Sequence, residues 1–142
     1  MPRRISLLAL VALVLAGCTA VDTQIERGRS LAGVQRFFVL ASPHDSRGLE
    51  HRIVAALRAR NLVAEAGPRT MMPDDTQAVV SYQERWAWDF GEHLMLLQLS
   101  VRDPKSNQSY ANGTYAAKIP GRKNPAAIVD ELVGRLLAGE KS

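Results

Sequence analysis

The sequence predicts an α+β fold, a two-layer α/β arrangement with two helices on one face of a mostly antiparallel five-stranded sheet. Three observations support this prediction. One segment is apolar at every position, three later segments alternate between apolar and polar residues, and two segments carry apolar residues at helical spacing. Their order along the chain is β-α-β-β-β-β-α. We expect residues 34–142 to form a single α/β domain around one core.

The domain opens with the uniformly apolar segment, followed by an amphipathic helix. Residues 36–41 read Arg-Phe-Phe-Val-Leu-Ala, which predicts a strand covered on both faces and therefore central in its sheet. The polar break that follows offers Asp45 or Ser46 as a helix cap. Asn61 stops the helix, and residues 62–65 read as a short second strand. The apolar stripe of this helix consists of Leu49, Ile53, Ala56 and Leu57.

Three further strands are predicted from residue 78 onward. Strict alternation from Ala78 to Phe90 predicts a long strand, and residues 93–102 and 111–119 alternate in the same way. Turn residues separate the three segments at 89–92 and 103–107. Short turns between alternating strands favour an antiparallel meander.

The last element is a helix with clear boundaries. Asn124 is a capping residue, Pro125 occupies the first helical position, and Gly139 lies where a C-terminal stop is expected. Its apolar stripe consists of Ile128, Val129, Leu132, Leu136 and Leu137.

The amino terminus has the three zones of a secretory signal. Arg3 and Arg4 carry positive charge, Ile5 to Leu15 is an almost unbroken apolar stretch, and small residues follow. A helix needs about 20 apolar residues to cross a bilayer, so a permanent membrane span is the weaker interpretation. We therefore expect residues 1–17 to be a signal peptide that is cleaved.

The tetrapeptide Leu15-Ala16-Gly17-Cys18 resembles the lipobox of bacterial lipoprotein precursors. That resemblance implies that Cys18 is the lipid attachment site, with a diacylglycerol thioether on sulfur and a fatty acid such as palmitate on the freed amine. One acyl chain binds a membrane marginally, and two or more hold it stably. Thr19, in place of an Asp, implies the outer membrane and its periplasmic face, with the inner membrane less favoured. The alternative is an ordinary signal followed by a chance cysteine.

The mature chain contains no second cysteine, so its domain must be stabilised by its core. We expect residues 18–33 to be a lipidated N-terminus and a flexible tether. Loss of Arg3 and Arg4 lowers the formal net charge from +4 to about +2. The remaining basic residues are scattered among acids, which argues against nucleic acid as a partner.

No catalytic residue, cofactor or metal site is predicted. His44 and His51 lack the helical ligand spacing of a metal pair. The run Ser42-Pro43-His44-Asp45 groups three residue types of a catalytic triad, but triads assemble from separate elements, and a helix cap is the preferred interpretation. A periplasmic hydrolase remains a third hypothesis and would need a site involving His44, Asp45 or Glu84.

Glu84, Trp86 and Trp88 are the candidate ligand or partner contacts. Glu84 shares the apolar parity of its strand, where a buried unpaired carboxylate would cost several kcal/mol. It can instead lie where the strand leaves the core, be turned out by a bulge, or orient a ligand. The two tryptophans are core residues in one interpretation and a platform for stacking sugars in the other.

The element order also resembles small Gram-negative envelope lipoproteins whose function is not assigned. The leading hypothesis is a non-enzymatic accessory or assembly factor anchored to the outer membrane, whose domain contacts another envelope protein or cell-wall polymer. A peptidoglycan-binding or other glycan-binding module is the alternative.

Overall fold

The protein is described by a computed structural model that covers residues 19–26, 29–88, 91–118 and 123–139. The signal peptide, Cys18 and the turn residues Asp89 and Phe90 lie outside the described residues. In the described part of the chain, neither helix is long and apolar enough to cross a membrane.

The fold is α+β, with two helices and one mostly antiparallel sheet of six strands. The sheet has the strand order β1-β6-β5-β4-β2-β3. Strand β2 pairs in parallel with both β3 and β4, and the remaining pairings are antiparallel. The elements are β1 (Thr19–Ile25), β2 (Arg36–Leu40), α1 (Leu49–Arg58), β3 (Val63–Gly67), a 3-10 turn (Arg69–Met71), β4 (Ala78–Ala87), β5 (His93–Arg102), β6 (Ser109–Ala117) and α2 (Pro125–Ala138).

The predicted strand count of five is wrong, because the segment expected to be a flexible tether forms strand β1. This strand pairs with β6 from Thr19 opposite Ala117 to Ile25 opposite Ala111. Its odd positions explain the pairing: Val21 and Ile25 pack against the core, and Thr23 is only 4 % exposed. β-Branched residues in alternation are typical of a half-buried strand. The element order therefore starts with two strands before the first helix.

Both helices pack on the same face of the sheet. Helix α2 lies over β6, where a Cβ on Gly113 would come within 2.9 Å of Leu132 Cδ1. Helix α1 is joined to α2 by Arg60, whose guanidinium binds the Asp130 carboxylate at 2.7 Å and the Ala56 and Asp130 carbonyl oxygens. Among the described residues, no helix covers the opposite face of β4, β5 and β6.

The predicted boundaries of α2 are confirmed. The Asn124 side chain accepts a hydrogen bond from the Ala126 amide at 2.8 Å, and Pro125 opens the helix. Gly139 ends it in the left-handed conformation with φ 68°, which glycine adopts without steric cost.

The strand register defines two ends of the sheet. We call one of them the Thr19 end: β1 begins there at Thr19, β6 ends at Ala117, β5 begins at His93 and β4 ends at Ala87. Strands β2 and β3 run in the same direction as β4 but end earlier: Val39 pairs with Val80, so both strands end near the level of Ser81, about 20 Å before Ala87. The loop from β2 to α1 extends from that level toward the Thr19 end, where Arg47 pairs with Glu92.

Candidate functional site

The three candidate contact residues meet the loop between β2 and α1 near the Thr19 end of the sheet. We define the Arg47 cluster as this loop with the adjoining ends of β4 and β5. Glu84 and Trp86 come from β4, and Trp88 follows that strand. Its members are His44, Asp45, Arg47, Tyr82, Glu84, Trp86, Trp88 and Glu92.

Asp45 holds the loop in place. One carboxylate oxygen accepts the Arg47 amide at 2.9 Å, and the other accepts the Glu50 amide at 3.1 Å and the Tyr82 hydroxyl at 2.7 Å. The Glu50 bond satisfies an amide in the first turn of α1. The predicted helix cap at Asp45 or Ser46 is nevertheless wrong, because the N-cap residue is Gly48 in the left-handed conformation and has no side-chain capping bond. Burial opposes ionisation of Asp45, but these hydrogen bonds outweigh it and hold its pKa below the ordinary range.

Tyr82 is the buried partner of that carboxylate. Its side chain is 7 % exposed and lies on the helix face of β4. Burial and the hydrogen bond to Asp45 raise the pKa of the Tyr82 phenol far above its usual value. Tyr82 therefore stays protonated at physiological pH and serves as a hydrogen-bond donor to Asp45.

Arg47 connects the loop to the start of β5 and to both tryptophans. Its guanidinium forms a two-bond ion pair with Glu92, at 2.9 Å through Nε and 2.8 Å through Nη2. The same group lies 4.8 Å from the centre of the Trp86 ring and 5.6 Å from that of Trp88. At these distances a guanidinium is attracted to an aromatic face. Arg47 therefore fixes the position of both rings.

The two tryptophans have different environments. Trp86 is partly buried against the core, and its indole Nε1 is buried without a partner among the described residues. Trp88 is 69 % exposed. Of the two interpretations left open by the sequence, a core residue fits Trp86 and a surface contact fits Trp88.

Glu84 lies on the helix face, opposite Leu97 of β5, and is partly buried. Burial raises its pKa, and the nearby Asp45 charge raises it further, while Arg47 and His44 oppose the shift. The pairing shifts register directly after it, where Arg85 pairs with Leu96 and Trp86 with Leu94, so the extra residue is Met95 in β5 and no bulge in β4 turns Glu84 out. Glu84 precedes that irregularity and remains on the helix side.

A second feature, which the sequence analysis did not identify, is a shallow groove of about 360 Å³ on the open face of the sheet. Its floor is a ladder of uncharged polar side chains in which Ser81, Ser100 and Asn112 form one row, and Gln83, Gln98 and Thr114 form the next. In each of the three strands, the polar residues of the alternating pattern lie on this face. The sequence pattern therefore already contained the residues that form the groove.

The described residues contain no group of three His, Cys, Asp or Glu side chains that could hold a metal ion. Asp45, the member of the Ser42-Pro43-His44-Asp45 run with the most polar contacts, uses both carboxylate oxygens in holding the loop. The Cys18 lipid site lies outside the described residues.

Comparison with solved structures shows what the fold resembles. The chain is similar to the PelC dodecamer from Paraburkholderia phytofirmans, with a TM-score of 0.62 and 14 % identity over 87 % of this chain and 99 % of that one. A single-residue variant of the same protein, solved in a second crystal form, gives a TM-score of 0.61 at 15 % identity, over 85 % of this chain and 96 % of that one. The sequence matches no protein-family model and no curated protein. The likeness to PelC at this level of identity is a likeness of fold.

Proposed function

We propose that this chain is an outer-membrane lipoprotein anchored through Cys18, and that its periplasmic domain acts by binding another envelope component instead of by catalysis. The lipobox-like sequence Leu15-Ala16-Gly17-Cys18 supports the anchor. Three acyl chains would make dissociation from the membrane negligible.

The observation that carries the binding role is the way the Arg47 cluster uses its polar groups. Asp45 is saturated by three hydrogen bonds, Tyr82 is held as a neutral donor, and Arg47 is paired with Glu92. A general acid or base needs a titratable group within reach of substrate. Here the polar groups position the loop, which favours a rigid contact surface over an active site.

The fold supports the same proposal. The similar protein PelC is described as a dodecamer, so chains of this fold can present a surface to copies of themselves. The open polar groove is the second surface that a partner can use. Its uncharged amides and hydroxyls can form hydrogen bonds without the desolvation cost of burying a charge.

A photo-crosslinking experiment in cells tests this role. Photoreactive residues at Gln83 and Gln98 in the groove should each give a discrete adduct with one envelope component or with a second copy of this chain. Glu65, exposed on edge strand β3, provides a control position. If neither groove position gave an adduct above that control, the binding role through this face would be contradicted.

The second candidate, a glycan-binding module, is favoured by one specific observation. Trp88 is 69 % exposed, and Arg47, which is paired with Glu92, lies 5.6 Å from the centre of its ring; flat rings beside polar groups suit sugar recognition. The soluble Cys18→Ser protein should then sediment with purified sacculi, and Trp88→Ala should abolish this while Trp86→Phe retains it. Equal recovery of wild type and Trp88→Ala would remove this candidate.

A further inference from the structure

We propose that the Thr19 end of the sheet rests directly on the bilayer that holds the Cys18 lipid, with the Trp88 ring in the interfacial region of the membrane. This inference rests on the lipid anchor of the proposed function. It adds the orientation of the domain and the surface that contacts lipid.

The distance between the anchor and the sheet is the first step. Strand β1 begins at Thr19, the residue that follows Cys18, and is already paired with Ala117. Consecutive Cα atoms are about 3.8 Å apart, so the lipid-bearing residue lies within one residue of the sheet edge. A flexible tether of about 15 residues would instead allow an average separation of about 20 Å. Without such a tether the Thr19 end cannot move away from the headgroups.

The strand register then shows which residues of the other strands lie level with the start of β1. Ala20, Ala116, Leu96 and Arg85 form one row across four strands. Thr19 and Trp86 are each one residue beyond this row, and Trp88 is three residues beyond it. At about 3.3 Å per residue and about 4.8 Å between strands, Trp88 lies about 7 Å beyond the level of Thr19 and about 15 Å to one side.

Trp88 is the exposed apolar side chain that lies at the Thr19 end. Among the described residues, the large apolar side chains that stand out as exposed are Trp88 at 69 %, Met71 at 70 % and Val63 at 46 %. Trp88 lies at the Thr19 end. Met71 is in the 3-10 turn that follows β3, close to Gly67 and below the Thr19 end. Val63 begins β3 at the opposite end.

The chemistry of these groups suits a membrane surface. Tryptophan is enriched where hydrocarbon meets headgroups, because its ring is amphipathic. Arg47 stacks on Trp88 and its charge is balanced by Glu92, so the ring is held in place without adding net charge. Lys118, exposed directly after β6, can keep its ammonium group at headgroup level while its stem covers apolar surface. With the sheet standing on this end, the polar groove faces the periplasm.

Fluorescence of the lipidated mature protein in vesicles tests the orientation. The chain has two tryptophans, so Trp86→Phe leaves Trp88 as the single reporter and Trp88→Phe leaves Trp86. Each variant is reconstituted into phosphatidylcholine vesicles with and without phosphatidylcholine brominated on its acyl chains. The soluble Cys18→Ser form of each variant is the matched control, and circular dichroism verifies that the variants are folded.

We expect Trp88 emission to shift to shorter wavelength in vesicles, to lose most of its accessibility to acrylamide and to be quenched by the brominated lipid. Trp86 should be protected from acrylamide in both forms and should be quenched less. If the lipidated protein binds vesicles but Trp88 stays as accessible as in the Cys18→Ser form, the orientation is wrong and the anchor stands. Failure of the chain with intact Cys18 to bind vesicles would overturn both proposals.

Discussion

Replacing Asp45 by Asn should destabilise the domain by about 2 kcal/mol, because this carboxylate is the acceptor on which the β2–α1 loop depends. The Asn oxygen can keep the Arg47 amide, and the Tyr82 hydroxyl can reverse and accept from the new amide nitrogen. The Glu50 amide in the first turn of α1 then faces a donor where it had an acceptor at 3.1 Å. A hydrogen bond to a charged group contributes about 1.5–3 kcal/mol, which sets the expected loss.

The free energy of unfolding is best measured by urea titration of the soluble Cys18→Ser protein, monitored by circular dichroism. Ser46→Ala is the matched control, since Ser46 is exposed in the same loop and its hydroxyl has only a marginal 3.5 Å contact with Arg47. A double-mutant cycle with Tyr82→Phe should show a coupling energy of about 1 kcal/mol or more, because the Tyr82 bond is 2.7 Å long.

The pH dependence gives an independent check on the same carboxylate. The folded pKa of Asp45 lies below the ordinary value of 3.8, so its ionised form stabilises the fold above that pH. This contribution is lost as the pH falls from 3.8 through the lowered folded pKa, and the wild-type and Asp45→Asn stabilities should converge there. A loss below about 0.5 kcal/mol at neutral pH, which is typical of an ordinary surface substitution, would refute this role for Asp45.

Three other substitutions test the fold and the site. Glu84→Gln should raise the thermal midpoint at pH 7, because the raised pKa of Glu84 means that its ionised form destabilises the folded state. The gain should vanish below pH 4.5, where the acid is neutral in both the folded and the unfolded state. Gly113→Ala should lower the free energy of unfolding by about 1–2 kcal/mol in urea titration, since the new Cβ would lie 2.9 Å from Leu132 Cδ1. An unchanged midpoint would contradict the packing of α2 on β6. Arg60→Ala should cost about 1–2 kcal/mol by the same assay and Asp130→Asn about 0.5. The ion pair is partly exposed, whereas the guanidinium also binds the Ala56 carbonyl of α1 and the Asp130 carbonyl of α2 and so bridges the helices; equal effects would contradict this division.

The sequence predicted the elements whose signals are local. Helix α2 was placed correctly because a capping residue, a first-position proline and a terminal glycine mark both ends within the helix itself. Strand β1 was missed because Asp22 and Gln24 make the segment polar on average, and only a few alternate residues face the core. Its partner β6 lies about ninety residues away in the chain, so nothing local signalled the pairing.

The candidate site was predicted in part for the same reason. Glu84, Trp86 and Trp88 stood out because they share one strand parity. The part that Arg47 plays could not be predicted, since it depends on an ion pair with Glu92, 45 residues away, and on ring contacts made only in the folded chain. The contact of Asp45 with the first turn of α1 was predictable because it is contained within six residues, but the N-cap position at Gly48 was not predicted.

The lipid at Cys18 is tested most directly by intact-mass and N-terminal peptide mass spectrometry of the protein purified from Gram-negative envelopes. We predict a mature chain that begins at Cys18 and carries a diacylglyceryl group and an amide-linked fatty acid, and a Cys18→Ser variant that leaves the membrane fraction. A mature chain with an unmodified Cys18, or a Cys18→Ser variant that stays with the outer membrane, would contradict the central claim.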